Sequence, residues 1–110
     1  MGKSKKLFKV VVFGPIESEK IIRKTIEKLA VGRIGKYSGW TFCSYGITRV
    51  RAMPGANPAK GQVGKIEKIK EFRMETACFE TEKNKLIEAI KSVHPYEVVP
   101  IDVFEVVGVK

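Results

Sequence analysis

The sequence predicts an α+β fold, a four-stranded antiparallel sheet with two helices on one of its faces. Three observations predict it. Strand-like and helix-like segments run in the order strand-helix-strand twice over. Each helix pattern carries one apolar stripe, so each helix has one face to bury. The second helix is also cut off at His94-Pro95, with a β-branched stretch behind it. Pro95 has no N–H and its ring clashes with the preceding turn, so the helix stops there. Two right-handed strand-helix-strand units of this kind close into the ferredoxin-like βαββαβ sandwich.

Leu7 to Phe13 is an apolar run broken only by Lys9, which reads as a central strand buried on both faces. Gly14-Pro15 breaks it. Ser18 is placed to cap the first helix, with Glu17 and Glu19 near its positive end. Ile21, Ile22, Thr25, Ile26 and Leu29 form the stripe, and Gly32 is placed to end the helix in a left-handed conformation. Thr41 to Arg51 has strand composition, and the Gly/Pro-rich segment Met53 to Gly61 is a loop. A third strand covers Lys65 to Phe79. Its second half alternates, with Phe72, Met74, Thr76 and Cys78 on one side and Glu71, Arg73 and Glu75 on the other. Ile66 and Ile69 break that alternation, which a bulge would reconcile. Thr81 is placed to cap the second helix, whose stripe is Leu86, Ile87, Ala89, Ile90 and Val93. Val98 to Val107 is the last strand. Pro100 fits an edge position, where a missing N–H costs least.

Composition narrows the function classes. A chain of 110 residues supports one domain, expected over 7–107, behind a basic tail at 1–6. No apolar run is long enough to span a membrane, and the stretch after the basic start is too short for a signal peptide. Cys43 and Cys78 have neither zinc-site nor disulfide-framework spacing, which fits a reducing, cytoplasmic setting. The net charge of +9 suits acidic partners, but it is spread over the tail, the first helix and Lys65 to Arg73 without interleaved aromatics. That spread argues against nucleic acid as the main partner. No phosphate-loop, dinucleotide or nucleophile motif is present, which argues against an independent enzyme.

Candidate site residues cluster near the end of the chain. His94 is either a ligand or acid-base group, or a helix-end residue interacting with the dipole. Tyr96 suits a subunit boundary. Glu97 and Asp102 are carboxylates in apolar settings. Asp102 shares a strand face with Val98, Pro100, Phe104 and Val106, and calls for Arg33, Arg49, Arg51, a metal or a ligand as partner. Asn57 and its flanking backbone could present N–H donors to an anion.

Three spaced motifs carry a resemblance. They are Gly32-Arg33-Ile34-Gly35-x-Tyr37-Ser38, then Gly55-Ala56-Asn57-Pro58 through Gly61-x-Val63-Gly64, and His94-Pro95-Tyr96-Glu97 with Asp102. Together they resemble the domain inserted in YqfO-type proteins of the Ngg-interacting-factor-like family, here standing alone. The last motif is also similar to that of CutA proteins, and both groups share the fold of PII signalling proteins. The resemblance implies a PII/CutA-like homotrimer, brings Arg33 and Tyr37 into the site set, and places the Met53 to Gly61 loop where PII proteins carry a mobile effector loop. The dinuclear metal site of YqfO-type proteins lies outside the insert, and one histidine cannot rebuild it. Trp40 departs from the small residue common in relatives.

From the residues themselves, one sheet face lacks helices yet is partly apolar, through either Phe8, Val10 and Val12 or Leu7, Val11 and Phe13. Trimer and dimer both satisfy it. The leading expectation is a regulatory or scaffold module that binds a small-molecule or anionic ligand or a divalent metal ion at subunit clefts. The alternatives are an enzyme using Glu97, Asp102 and His94, and a basic nucleic-acid-binding module.

Overall fold

The computed structural model describes residues 6–107; most of the basic N-terminal tail lies outside the described residues. The elements are β1 (Leu7–Pro15), a 3-10 turn (Ile16–Ser18), α1 (Glu19–Lys28), β2 (Phe42–Arg51), β3 (Ile66–Phe79), α2 (Glu80–Val93) and β4 (Ile101–Val106). The sheet is antiparallel in the order β2-β3-β1-β4. This is the ferredoxin-like arrangement, and β4 is an edge, as Pro100 suggests. Pro100 itself lies just before β4, and its carbonyl accepts the Phe13 N–H at 3.1 Å.

Alternation in β1 divides the sheet into two faces. Phe8, Val10 and Val12 join Phe72, Met74 and Cys78 of β3 in one core with Ile22 and Ile26 of α1 and Leu86 and Ile90 of α2. Leu7, Val11 and Phe13 therefore point to the face without helices. There Leu7 pairs in register with Val106 of β4, Lys9 with Phe104 and Val11 with Asp102. Among the described residues, no helix is long and apolar enough to cross a membrane.

Four local expectations change. Ser18 occupies the cap position of α1 but makes no side-chain cap hydrogen bond, because a 3-10 turn already leads into the helix. The left-handed residue after α1 is Ala30, at φ 56°; Gly32, at φ 68°, comes later, where its N–H donates to Ala77 O at 2.8 Å. Phe79, not Thr81, caps α2, with the Glu82 carboxylate accepting the Phe79 N–H at 2.9 Å. The β2–β3 register is unbroken from Phe42↔Glu75 to Arg51↔Ile66, so there is no bulge. Ile66 and Ile69, three apart in an unbroken strand, lie on opposite faces, and both belong to the part of β3 that runs past the end of β1 at Pro15↔Glu71. Beyond that point the covered face changes sides. Ile69 is buried under the loop that follows β2, while Ile66 is bare.

Candidate functional site

Residues 94–97 tie three parts of the molecule together. Pro95 ends α2, and His94 leaves helical geometry at ψ 137°. That swing places the imidazole against the end of β1. Its Nδ1 accepts the Tyr96 N–H at 3.1 Å, which leaves the proton on Nε2, 2.7 Å from Phe13 O. His94 is buried and meets the Tyr96 ring edge-on at 4.9 Å. Gly14 leaves room for it, since a Cβ there would lie 2.9 Å from both His94 Nε2 and Phe72. His94 is therefore tied to the backbone through both ring nitrogens rather than standing free at a helix end.

Tyr96 reaches across to β3 and donates to Glu71 Oε2 at 2.6 Å; Thr48 of β2 donates to Glu71 Oε1, also at 2.6 Å. Glu71 is only 4% exposed, so two hydroxyl donors take the place of the water its carboxylate has lost. Burial, then the bond to Glu71 and its charge, push the Tyr96 phenol well above its ordinary value. Tyr96 is thus held as a donor.

Glu97 holds the third part. Its carboxylate accepts the Asn57 backbone N–H at 2.9 Å. Lys60, further along the same loop, pairs with Glu17 at 2.6 Å, which lowers the Glu17 pKa chiefly through that hydrogen bond. The loop turns at Pro54-Gly55, where Ala56 N–H donates to Met53 O, and closes where Gly64 N–H donates to Ala52 O. Gly61 has φ 85°, and a Cβ there would collide with Glu67 Cγ. Beneath the loop lies a cleft of about 170 Å³, walled by Val50, Ala52, Pro58, Ala59, Ile69 and Val98, with Tyr96, Glu97, Glu67 and Lys60 among its polar groups.

Four residues singled out in the sequence thus meet here: Asn57, His94, Tyr96 and Glu97. Three do not. Arg33 pairs with Glu82 of α2 at 2.8 Å, and Tyr37 is 78% exposed in the loop after α1. Asp102 sits on β4 opposite Val11 and is exposed, contrary to the buried setting its apolar neighbours suggested. The edge position explains this, because nothing lies beyond β4. Arg49 and Arg51 are on β2, the opposite edge, so neither is a neighbour of Asp102 within the sheet of one chain. The Asn57 N–H is already engaged, which removes it as an anion donor. Sequence reasoning missed Glu71, Thr48, Lys60 and Glu17. A lone carboxylate across from Gly46 was the available signal for Glu71, but its depth came from Tyr96, 25 residues away. Among the described residues, no three His, Cys, Asp or Glu side chains converge to hold a metal ion.

No family model matches the chain. It is 36% identical over 100 residues to a GTP cyclohydrolase 1 type 2 homolog of Bacillus subtilis, covering 91% of this chain and 27% of that protein. A protein of the same description from Mycobacterium tuberculosis is 32% identical over 101 residues, covering 92% and 27%. Among solved structures, a Bacillus cereus protein related to NIF3 superposes with a TM-score of 0.83 at 32% identity, over 96% of this chain and 27% of that one. CutA1 from Pyrococcus horikoshii superposes with a TM-score of 0.68 at 24% identity, over 94% of this chain and 86% of that one. The chain therefore spans about a quarter of the length of the curated relatives it matches. The CutA1 likeness, at that identity, speaks for the fold alone.

Proposed function

We propose that this chain is a homotrimeric regulatory or scaffold module that binds a small ligand in the cleft beneath residues 53–64. The cleft itself carries the reading. Its walls are aliphatic, its polar groups come from the 94–97 turn and the loop, and Glu97 fastens the loop over it. Pockets with apolar walls and a few placed polar groups are what small ligands select. Val50 and Val98 are 49% and 79% exposed, so a neighbouring copy or the ligand itself has apolar surface left to cover.

A binding role fits the local chemistry better than a reaction. Both ring nitrogens of His94 are committed to the backbone, Glu97 is bonded to Asn57, and Asp102 stands apart on β4. The set Glu97, Asp102 and His94 therefore lacks the shared geometry that acid-base catalysis needs.

A thermal-shift screen of nucleotides, other small metabolites and divalent ions tests this. A ligand at a hundred times its Kd adds about 2.7 kcal/mol, which raises Tm by on the order of 10 °C in a domain of this size. Ala59→Phe fills the cleft from an exposed wall position and should abolish the shift. A hit that stabilises Ala59→Phe as strongly as the parent would place its site elsewhere.

A further inference from the structure

The outer part of the β2–β3 hairpin has one covered face and one bare face. Residues 47–51 and 66–70 extend past the end of β1, which stops at Pro15↔Glu71. The molecule is accordingly long, 55 × 23 × 22 Å. The loop and the 94–97 turn cover the face that bears Ile69. The other face has three cross-strand pairs: Ile47↔Lys70, Arg49↔Lys68 and Arg51↔Ile66. All six residues are exposed, and none of the six is acidic.

Arg49 and Lys68 stand directly opposite one another, a pairing of like charges that weakens a hairpin. Among the described residues, no ion pair joins Arg49, Arg51, Lys68 or Lys70 to a carboxylate. Other cations of the chain do have partners: Lys9, Arg23, Arg33, Lys60 and Arg73. The sequence shows a diffuse charge of +9; strand register gathers four of those charges on one ribbon.

We propose that this bare ribbon face docks on duplex DNA and contacts its phosphates without reading sequence. Neighbouring strands lie about 4.8 Å apart and same-face residues about 6.8 Å apart along each strand, so the six side chains form a compact grid of three rows in which the four cations make a parallelogram, paired in the middle row and staggered at its two ends. A two-stranded ribbon fits the major groove of B-form DNA, whereas the deep, narrow major groove of A-form RNA excludes it. Arg49 and Arg51 suit phosphate through their planar donor forks, and Lys68 and Lys70 add point charges. Ile47 and Ile66 take the two remaining, diagonally opposite corners of the grid and would rest against the sugar edges. The free edge of a second copy of this chain offers the face little negative charge. On its free edge β4, the only acid sharing the helix-side face is Glu105, which pairs in register with Phe8.

Fluorescence anisotropy of a labelled duplex, titrated with the full chain over a salt series, tests the proposal. Four phosphate contacts predict a slope of log K against log salt of about −3.6. Affinity should then fall about 150-fold between 50 and 200 mM salt. Arg49→Gln with Lys68→Gln should bring the slope to about −1.8. Lys20→Gln with Lys24→Gln removes the same charge from α1 and should leave it near the parent value. Three results would overturn the proposal: no binding at 50 mM salt, an equal loss of slope in the α1 control, or an arm variant that alters the mass by light scattering while binding DNA as the parent does. The last would assign the face to a second copy.

Discussion

Tyr96 and His94 do their work through hydrogen bonds that a single substitution can remove. Tyr96→Phe leaves the buried Glu71 with Thr48 as its one remaining hydroxyl donor. Hydrogen bonds to charged groups are worth about 1.5–3 kcal/mol, and urea denaturation should show a loss of that size. The pH dependence has a definite sign. The folded-state phenol lies above its unfolded value of about 10, so its contribution is full below that pH and is lost as pH rises through the folded value. Tyr45, pushed up to about 12 mainly by its bond to Glu19, acts in the same window. Tyr96→Phe should therefore flatten the decline in stability above pH ~10. His94→Ala removes two backbone contacts and opens space beside Phe72. It should cost about 2–4 kcal/mol, against less than about 0.5 kcal/mol for Asp102→Asn in a single chain. The sequence put Asp102 in an apolar setting that called for a partner and offered His94 a place at the helix end, so the larger cost at His94 comes from contacts that only the fold brings about. The alternation that groups Asp102 with Phe104 and Val106 was legible and correct. Its exposure was not, because burial depends on which strand lies outermost.

The elements show the same division between what is local and what is not. Pro95 ending α2 and the stripes of both helices depend on neighbours in sequence, and they could be read from it. The cap at Phe79 and the left-handed Ala30 depend on how β3 and α1 meet the sheet. The apparent bulge in β3 has the same origin, since the strand keeps its register and changes which side is covered. The Met53 to Gly61 loop was expected to be mobile, from its place where PII proteins carry an effector loop. Its ties are polar instead: Glu97 to the Asn57 N–H and Lys60 to Glu17. Amide exchange measured residue by residue should find the Asn57 N–H slower than its loop neighbours, and Glu97→Ala should abolish that protection. Fast exchange at Asn57 in the parent would mean that the loop is not held. Gly61→Ala should cost about 1–3 kcal/mol or displace Glu67, because the backbone there has φ 85°.

At the scale of the whole molecule, one sheet face is sealed by helices and the other is not. The open face has a polar centre, in which Glu75 pairs with Lys9 and Arg73 at 3.3 Å each. Arg73 also lies over the Phe13 ring, and Lys9 over Trp40. Around this centre Phe42 and Phe104 are 56% and 50% exposed. The sheet also ends in two free edges, β2 and β4, and unlike edges that pair head to tail close into rings. Which faces the sheet has could be derived from alternation; how copies meet could not, because no single chain contains that contact. The proposed trimer follows from this open face and these edges. Light scattering at low micromolar concentration tests it most directly. The expected mass is three times the 12.3 kDa of the chain. A particle of one chain mass that persists as concentration rises to tens of micromolar would contradict it.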